Sequence, residues 1–463
     1  MKSFALTSIV VVLIIAAACS STFMLNATVI ALIAYSLIGP GETIRAAALS
    51  VVLKYLNPAL ALTDSTTNIL FWVLLLAIGL RNLPLLRRDH LKILAPIWIF
   101  ALLAAFLSWL SSNALMISMM KVATFAWVVP GLLTACLSLD SAQVRRLRKW
   151  LTAFMLTNIS LSLVTLFNSS IAFKKVPGSL QGILNHPQSF GTFSAPAAAW
   201  VLTGLIAVRG KWRIPELAAA AMIVSAMFMS LSRTAALATI IGLLASLVRP
   251  LFSRVLTREQ AGVARIAGVL LIFSVIIGSI SLVTDDISNS VSSFIKKRGN
   301  EDLSQAFYDT RGRGIAWQWH NFLDRPFLGN GFGVFADGSF PAGVVEWNGI
   351  PISAPIEKGF IPTAVLEETG IFGAIAFILI IISCARHVYR NNMDPRWVAA
   401  FWTAVTVNLG EAVILAPGGI GLYIWIVIGI CISSEGTFSD STTSEMELFK
   451  IEALGHQPKN LMG

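Results

Sequence analysis

The stretch MSLSRTAALATIIGLL, from Met229 to Leu244, sets one arginine in a run that otherwise has the composition of a membrane-spanning helix. A charge inside a membrane is costly, and it normally faces a cavity or marks a substrate pathway. The serines beside Arg233, Ser230 and Ser232, indicate a polar pocket at the same place. We therefore expect Arg233 to bind a ligand. The alternative is that it reaches the headgroups or caps carbonyls at a helix end.

Apolar residues dominate the rest of the chain as well. Of its 463 residues, 56% are hydrophobic and only 13% are charged, and the mean hydropathy is +0.76. A soluble protein carries about 25% charged residues. The apolar residues form blocks of about 16 to 25, the length of a helix that crosses a bilayer, and do not alternate as in a β-barrel. The sequence therefore predicts an all-α polytopic membrane protein.

These blocks predict about 12 to 14 transmembrane helices. The block 46–62 is the weakest because it contains Lys54 and Pro58, and its alternatives are an interfacial segment or one arm of a re-entrant hairpin. The predicted spans are residues 4–20, 23–39, 46–62, 67–81, 92–111, 114–138, 150–170, 188–208, 214–231, 234–248, 266–284, 361–386, 396–411 and 418–434.

Basic residues cluster in the short segments that follow the even-numbered spans. With the N-terminus inside, these segments lie on the cytoplasmic face, as the positive-inside rule requires. The same placement accounts for the net charge of +10, so we expect no nucleic-acid partner. A retained first helix is favoured over a cleaved signal peptide, because a second apolar block follows at once. Both termini are therefore expected in the cytoplasm.

Four regions result: N-terminal transmembrane helices (1–284), a large outer loop (285–360), C-terminal transmembrane helices (361–434) and a cytoplasmic tail (435–463). An outer loop of about 75 residues is usually functional, and we expect one or two short helices in it. The four cysteines match neither a disulfide framework nor a metal site. The chain has no P-loop and no metal-ligand spacing, so no metal and no cofactor are expected.

Arginines and carboxylates in and after this loop are the candidates for chemistry. Arg311 and Arg313 stand beside glycines, and a guanidinium matches phosphate oxygens in a bidentate way. Their alternative is an ordinary solvated loop charge. Adjacent carboxylates in the helix that re-enters the membrane are costly unless they meet a partner or water, although the helix dipole also favours acids there. The catalytic candidates are Glu368, Glu357, Lys358 and His320, and the expected pocket-lining residues are Ser232, Trp317, His186 and Glu411.

Four motifs in order resemble the O-antigen ligase and polysaccharide polymerase (Wzy-like) superfamily of bacterial inner-membrane glycosyltransferases. They are SLSR (230–233), GRGIAW (312–317), RPFLGNGFGVF (325–335) and LEETGIFG (366–373), and the resemblance is best between about residues 170 and 434. It implies transfer of a glycan from an undecaprenyl-diphosphate-linked donor to an acceptor glycan at the periplasmic face, with Arg233 and Arg313 on the diphosphate. Membrane lipids and other polysaccharide assembly proteins are the further expected partners.

The chain departs from this superfamily at one place. The ligases carry a His-Asn pair shortly before the L.E.G motif, whereas this chain has IEKGFIP there. The general base is then expected to be Glu357 or Glu368, with His320 third, and polymerisation is favoured over ligation. The alternatives are a transporter or flippase, and a non-catalytic partner in polysaccharide export. A transporter is expected to show internal repeats and broken helices, and the sequence indicates neither.

Overall fold

The computed structural model describes residues 2–207, 214–252, 312–336, 345–347, 350–353, 358–391 and 394–433. Within them the chain is helical apart from its connections and one antiparallel hairpin of β1 (Val345–Trp347) and β2 (Ile350–Ser353). The helices are α1 (Lys2–Ser20), α2 (Thr22–Ser36), α3 (Pro40–Lys54), α4 (Ser65–Asn82), α5 (Leu91–Ser111), α6 (Leu115–Leu137), α7 (Ser141–Val164), α8 (Ser169–Ala172), α9 (Pro187–Ala207), α10 (Ile214–Met229), α11 (Arg233–Phe252), α12 (Arg313–Asp324), α13 (Ile361–Asn391), α14 (Pro395–Thr406), α15 (Asn408–Glu411) and α16 (Ile420–Ile432).

Six helical segments in the described residues are long and apolar enough to cross a membrane. They are Ser65–Leu85, Arg88–Ser111, Leu115–Leu137, Ser141–Phe167, Pro187–Ile206 and Ile361–Arg390. The prediction of an all-α polytopic membrane protein is confirmed. Shorter apolar helices pack among the long ones. Helix α16 has 13 residues and is only about 20 Å long, whereas the hydrocarbon core of a bilayer is about 30 Å thick.

The segments that join the helices gather at the two ends of the bundle. The basic end holds residues 82–91, 138–149, 386–391 and 394–396, where the arginines cluster. Arg148 is buried there and donates hydrogen bonds to the carbonyls of Ile430 and Ser433 at 3.2 and 3.0 Å. The opposite end, which we call the pocket end, holds residues 55–64, 111–115, 165–187, 229–233, 325–336 and 407–419.

Direct contacts hold the segments of the pocket end together. The side-chain amide of Asn57 donates to the carbonyls of Ile171 and Gly182 at 2.7 and 2.8 Å. Arg325 donates to the carbonyl of Ser111 at 3.0 Å, which ties the region after α12 to the end of α5. Loops distant in sequence therefore form one packed layer that can support a site.

Two helices differ most from the predicted spans. The block expected at 46–62 is α3, which begins at Pro40 and ends at Lys54, so Pro58 lies beyond the helix that it would disrupt. The span expected at 150–170 begins at Ser141 instead, because Asp140 forms a capping box with Gln143. The predicted span 266–284 and the tail 435–463 lie outside the described residues.

Helix α13 is broken at Gly370, where φ is 61° and ψ is −168°. The break frees the carbonyls of Glu367 and Glu368 from the helical pattern, and they accept hydrogen bonds from the backbone N–H groups of Asn330 and Gly331 at 2.8 and 3.1 Å. The N–H of Ile371 donates to Pro326 instead. The expectation that no helix is broken is therefore wrong. The loop GNGFG (329–333) supplies the backbone donors that a continuous helix would have supplied to these two carbonyls.

Candidate functional site

A cavity of about 220 Å³ lies at the pocket end. Its walls come from the last residues of α3, the middle of α4, the first three turns of α6, the first two turns of α9, and the segment from the end of α15 to the start of α16. The lining includes apolar side chains such as Leu75, Ile117 and Met120. Its polar side chains are Lys54, Lys121, Thr124, His186, Gln188, Ser189, Thr192 and Glu411. Such a mixed lining suits a ligand that has both charged and apolar parts.

Two lysines from different helices face this cavity. Lys54 ends α3 and donates to the carbonyl of Gly418 at 2.6 Å, and Lys121 donates from α6 to the carbonyl of Gly333 at 2.6 Å. Both side chains are partly buried. In the part of the chain that the structure describes, no ion pair joins either lysine to a carboxylate. Each ammonium has three donors, so two donors on each remain for a ligand.

His186 immediately precedes Pro187, the first residue of α9, and lines the same cavity. Its Nδ1 accepts a hydrogen bond from the backbone N–H of Gln188 at 3.1 Å. The neutral ring therefore carries its proton on Nε2, which makes this nitrogen a donor and not a base. The prediction that His186 lines a pocket agrees with this placement.

Glu411 is the carboxylate among the described residues that line the cavity. It ends the short helix α15, and Ala412 after it takes a left-handed conformation with φ of 36°. The side chain of Asn408 accepts hydrogen bonds from the N–H groups of Val413 and Ile414, which fixes the turn. The chain thus turns directly after α15, and Glu411 lines the cavity from this turn.

A buried charge cluster lies behind this cavity. The ammonium of Lys358 is 2.8 Å from Glu367 Oε2 and 3.4 Å from Glu368 Oε1, and these side chains are 7% exposed or less. Lys121 lines the cavity and also interacts electrostatically with the cluster, because Glu368 attracts its ammonium and Lys358 repels it. The adjacent carboxylates, which are costly in an apolar block unless they meet a partner or water, meet Lys358.

The inward face of α12 completes the cluster. Asn321 donates to Glu367 Oε1 at 2.8 Å, and Gln318 donates to the carbonyl of Lys358 at 2.6 Å. Thr363 donates to the amide oxygen of Gln318. One atom, Glu368 Oε2, is buried without a hydrogen-bond partner. Because that atom is out of contact with solvent, Glu368 cannot reach a ligand in the cavity without moving.

Arg233 begins α11 after a sharp turn in which Leu231 has φ of 52°. Ser232 packs against Gly191 and Thr234 against Gly410, and these glycines immediately precede the cavity-lining residues Thr192 and Glu411. Ser232 was expected to line the pocket but is not among the lining residues, and neither is Arg233. The guanidinium nitrogen Nη2 is buried and has no hydrogen-bond partner. Arg233 therefore lies next to the cavity wall, and Nη2 caps no carbonyl.

The loop residues predicted for the site are placed elsewhere. Arg313, Trp317 and His320 lie on the exposed face of α12, opposite Gln318 and Asn321. His320 is 72% exposed and 3.9 Å from Asp324, so the structure does not bring it to Glu368. Arg313 and Arg233 lie on helices that pack against different neighbours, α13 for α12, and α9 and α14 for α11. Arg311 and Glu357 lie outside the described residues.

Lys54 and Lys121 are the site residues that the sequence analysis missed. Lys121 lies in the apolar block 114–138, and the rule that singled out Arg233 applies to it equally. Lys54 was noted only as a weakness of a predicted span. What the sequence does not show is that these two lysines, more than sixty residues apart, share one cavity.

The fold and site define a polytopic α-helical membrane protein with a cationic, partly apolar cavity at one end. No protein-family model matches the chain, and no curated protein is significantly similar to it.

Proposed function

We propose that the protein is a metal-independent glycosyltransferase that polymerises or ligates a bacterial surface polysaccharide, such as O-antigen, exopolysaccharide or capsule. Its donor would be an undecaprenyl-diphosphate-linked glycan. The observation that carries the proposal is the lining of the cavity, which combines Lys54, Lys121 and, among the described residues, a single carboxylate, Glu411, with apolar side chains. A lipid-linked donor combines an anionic diphosphate, sugar hydroxyls and an apolar chain, and this lining offers a partner for each.

The chemistry assigned to the site is displacement at the anomeric carbon. The bond from that carbon to the diphosphate oxygen breaks, the acceptor hydroxyl forms the new bond, and its proton goes to a base. Fixed cations stabilise the charge that develops on the leaving diphosphate. We assign the base to Glu411, because its carboxylate lines the cavity, whereas Glu368 is buried against Lys358. Arg233 is assigned to the donor, since its buried Nη2 lacks a partner beside the same walls.

The distribution of charge supports the proposed orientation. The arginine-rich basic end would be cytoplasmic by the positive-inside rule, and the pocket end would then face the periplasm of a bacterial inner membrane. Lipid-linked glycans are presented there as substrates of the superfamily that the sequence resembles.

Reconstituted protein with a defined undecaprenyl-diphosphate-linked oligosaccharide and an acceptor glycan provides the test. Mass spectrometry would follow lengthened or transferred glycan and released undecaprenyl diphosphate. We expect both with the wild type and neither with Glu411→Gln, while Glu216→Gln, which changes an exposed carboxylate, keeps full activity. Wild-type protein that forms no new glycosidic bond with any donor and acceptor pair would refute the proposal.

A transporter is the second candidate, and the break in α13 favours it, because transporters bind substrates at broken helices. The same vesicles separate the two functions. A flippase moves the glycan across the bilayer, so that added glycosidase loses or gains access to it, but leaves the sugar–diphosphate bond intact. A transferase breaks that bond.

A further inference from the structure

We infer that Lys54 and Lys121 form an anion-binding subsite that takes the phosphate or carboxylate of a substrate. The inference rests on the proposed function for the role of this anion in transfer, whereas binding itself is a separate, measurable event. Neither lysine belongs to the motifs that resemble the glycosyltransferase superfamily.

The first argument is the hydrogen bonding of the two ammonium groups. Each donates one hydrogen bond to a backbone carbonyl, of Gly418 for Lys54 and of Gly333 for Lys121. A carbonyl is neutral, so it orients the ammonium without cancelling its charge. A partly buried cation without a counterion is unfavourable, and an anion in the cavity would supply the missing partner.

The second argument is the balance of charge around the cavity. Lys54 and Lys121 are positive and Glu411 is negative. Lys121 faces Glu368 on its far side, but that carboxylate is engaged by Lys358 at 3.4 Å. The cavity therefore keeps an excess of positive charge and of donors, which selects for an anionic ligand.

The third argument concerns the part of the ligand to which the anionic group is attached. Leu75, Ile117 and Met120 form the apolar part of the wall, which suits the first isoprene units of a prenyl chain. Trp72 and Gln188 line the same space; an aromatic ring and an amide suit the face and hydroxyls of a sugar, whose carboxylate would then be the anion that the lysines bind. Two sources of the anion therefore remain, a lipid phosphate and a sugar carboxylate, and binding must distinguish them.

The test measures binding of soluble probes to the purified full-length protein. The anionic probes are farnesyl diphosphate and a glucuronate-containing trisaccharide, and their neutral counterparts are farnesol and the matching glucose trisaccharide. We expect one anionic probe to bind and its neutral counterpart to bind at least about tenfold more weakly, as expected when hydrogen bonds to charged groups are lost. Which anionic probe binds identifies the source.

Lys54→Gln and Lys121→Gln are each expected to weaken that binding about tenfold or more. Lys149→Gln, which changes an exposed lysine at the basic end, should bind as the wild type does. Equal binding of charged and neutral probes by the wild type would overturn the inference, and so would unchanged binding in the double variant. If a lysine variant fails to fold, the wild-type comparison can still overturn the inference.

The outcome separates the two proposals. If the lysines control anion binding but no glycosidic bond is made, the subsite stands and the transferase proposal fails. If transfer occurs and both lysine variants bind and turn over like the wild type, the subsite alone fails.

Discussion

The ammonium of Lys358 lies 2.8 Å from the carboxylate of Glu367, with both side chains almost completely removed from solvent. These residues are nine positions apart, at the entry to α13 and in its second turn. The pair anchors the entry of α13 against α12, because Asn321 and Gln318 bind its two members. This anchor also holds the GNGFG loop that carries the carbonyl partner of Lys121.

Lys358→Met should destabilise the protein strongly. It leaves two buried carboxylates without a cation, and breaking a buried pair in this way costs about 3–5 kcal/mol. Thermal unfolding in detergent, followed by tryptophan fluorescence, measures the loss. Glu368→Gln is the control, because the pair of Lys358 and Glu367 survives in it. Equal melting temperatures for the two variants would contradict the assigned role.

Gly370→Ala should lower stability. Its φ of 61° with ψ of −168° lies in a region used essentially by glycine alone, which costs another residue about 1–3 kcal/mol, and the Cβ would clash with the carbonyl of Phe327. Gly314→Ala is the matched control. Gly314 lies inside α12, where a Cβ meets open space, so alanine should stabilise by up to about 1 kcal/mol. If Gly370→Ala and Gly314→Ala shift the melting temperature in the same direction, the claim that α13 is broken at Gly370 is contradicted.

Glu411→Gln should reduce glycan transfer by at least about 10²-fold, the usual contribution of a positioned base. Binding of the anionic probe should persist or tighten, because a negative charge leaves the cavity. Parallel turnover and binding measurements on one preparation test this. A variant that loses binding but keeps its turnover number would show that Glu411 positions the ligand and takes no proton.

Arg233→Lys should lose most of the activity even though it keeps the charge. A lysine is a point charge and cannot reproduce the planar fork of a guanidinium that binds two oxygens at once. Transfer assays on Arg233→Lys and Arg233→Gln, at matched amounts of inserted protein, provide the measurement. Full activity in the lysine variant would leave charge alone as the requirement.

Arg148→Gln should destabilise the basic end, because Arg148 donates to the carbonyls of Ile430 and Ser433 and lies 4.8 Å from the ring of Trp397. Loss of hydrogen bonds from a charged donor costs about 1.5–3 kcal/mol. Arg145→Gln, on the exposed face of the same helix, should have little effect. Thermal unfolding of both variants provides the comparison, and similar losses would mean that only the basic charge matters.

Local sequence patterns predicted some features of the site, whereas features that depend on which helix face is buried or on distant contacts could not be predicted. The costly carboxylates of α13 and the glycines of the GNGFG loop were recognisable, because a charge in an apolar block and closely spaced glycines are local signals. His320 was misplaced because one face of α12 is buried and the other exposed, and a histidine seven residues from Arg313 falls on the exposed face with it. The sequence indicated Glu411, at the end of α15, only as a pocket-lining residue. Only the structure shows that it shares a cavity with Lys54 and Lys121.

The sequence by itself determined the class of protein, because apolar blocks of spanning length leave helices as the only backbone arrangement that satisfies its hydrogen bonds in lipid. It also determined most helix boundaries, since caps and prolines act over a few residues. The tertiary structure alone decided that Lys54 and Lys121 share a cavity, that Glu368 is withdrawn behind it, and that α13 is broken where another loop can pair with it. These features depend on contacts between segments far apart in the chain, and no local pattern of residues specifies which distant partner a buried charge or a free carbonyl will meet.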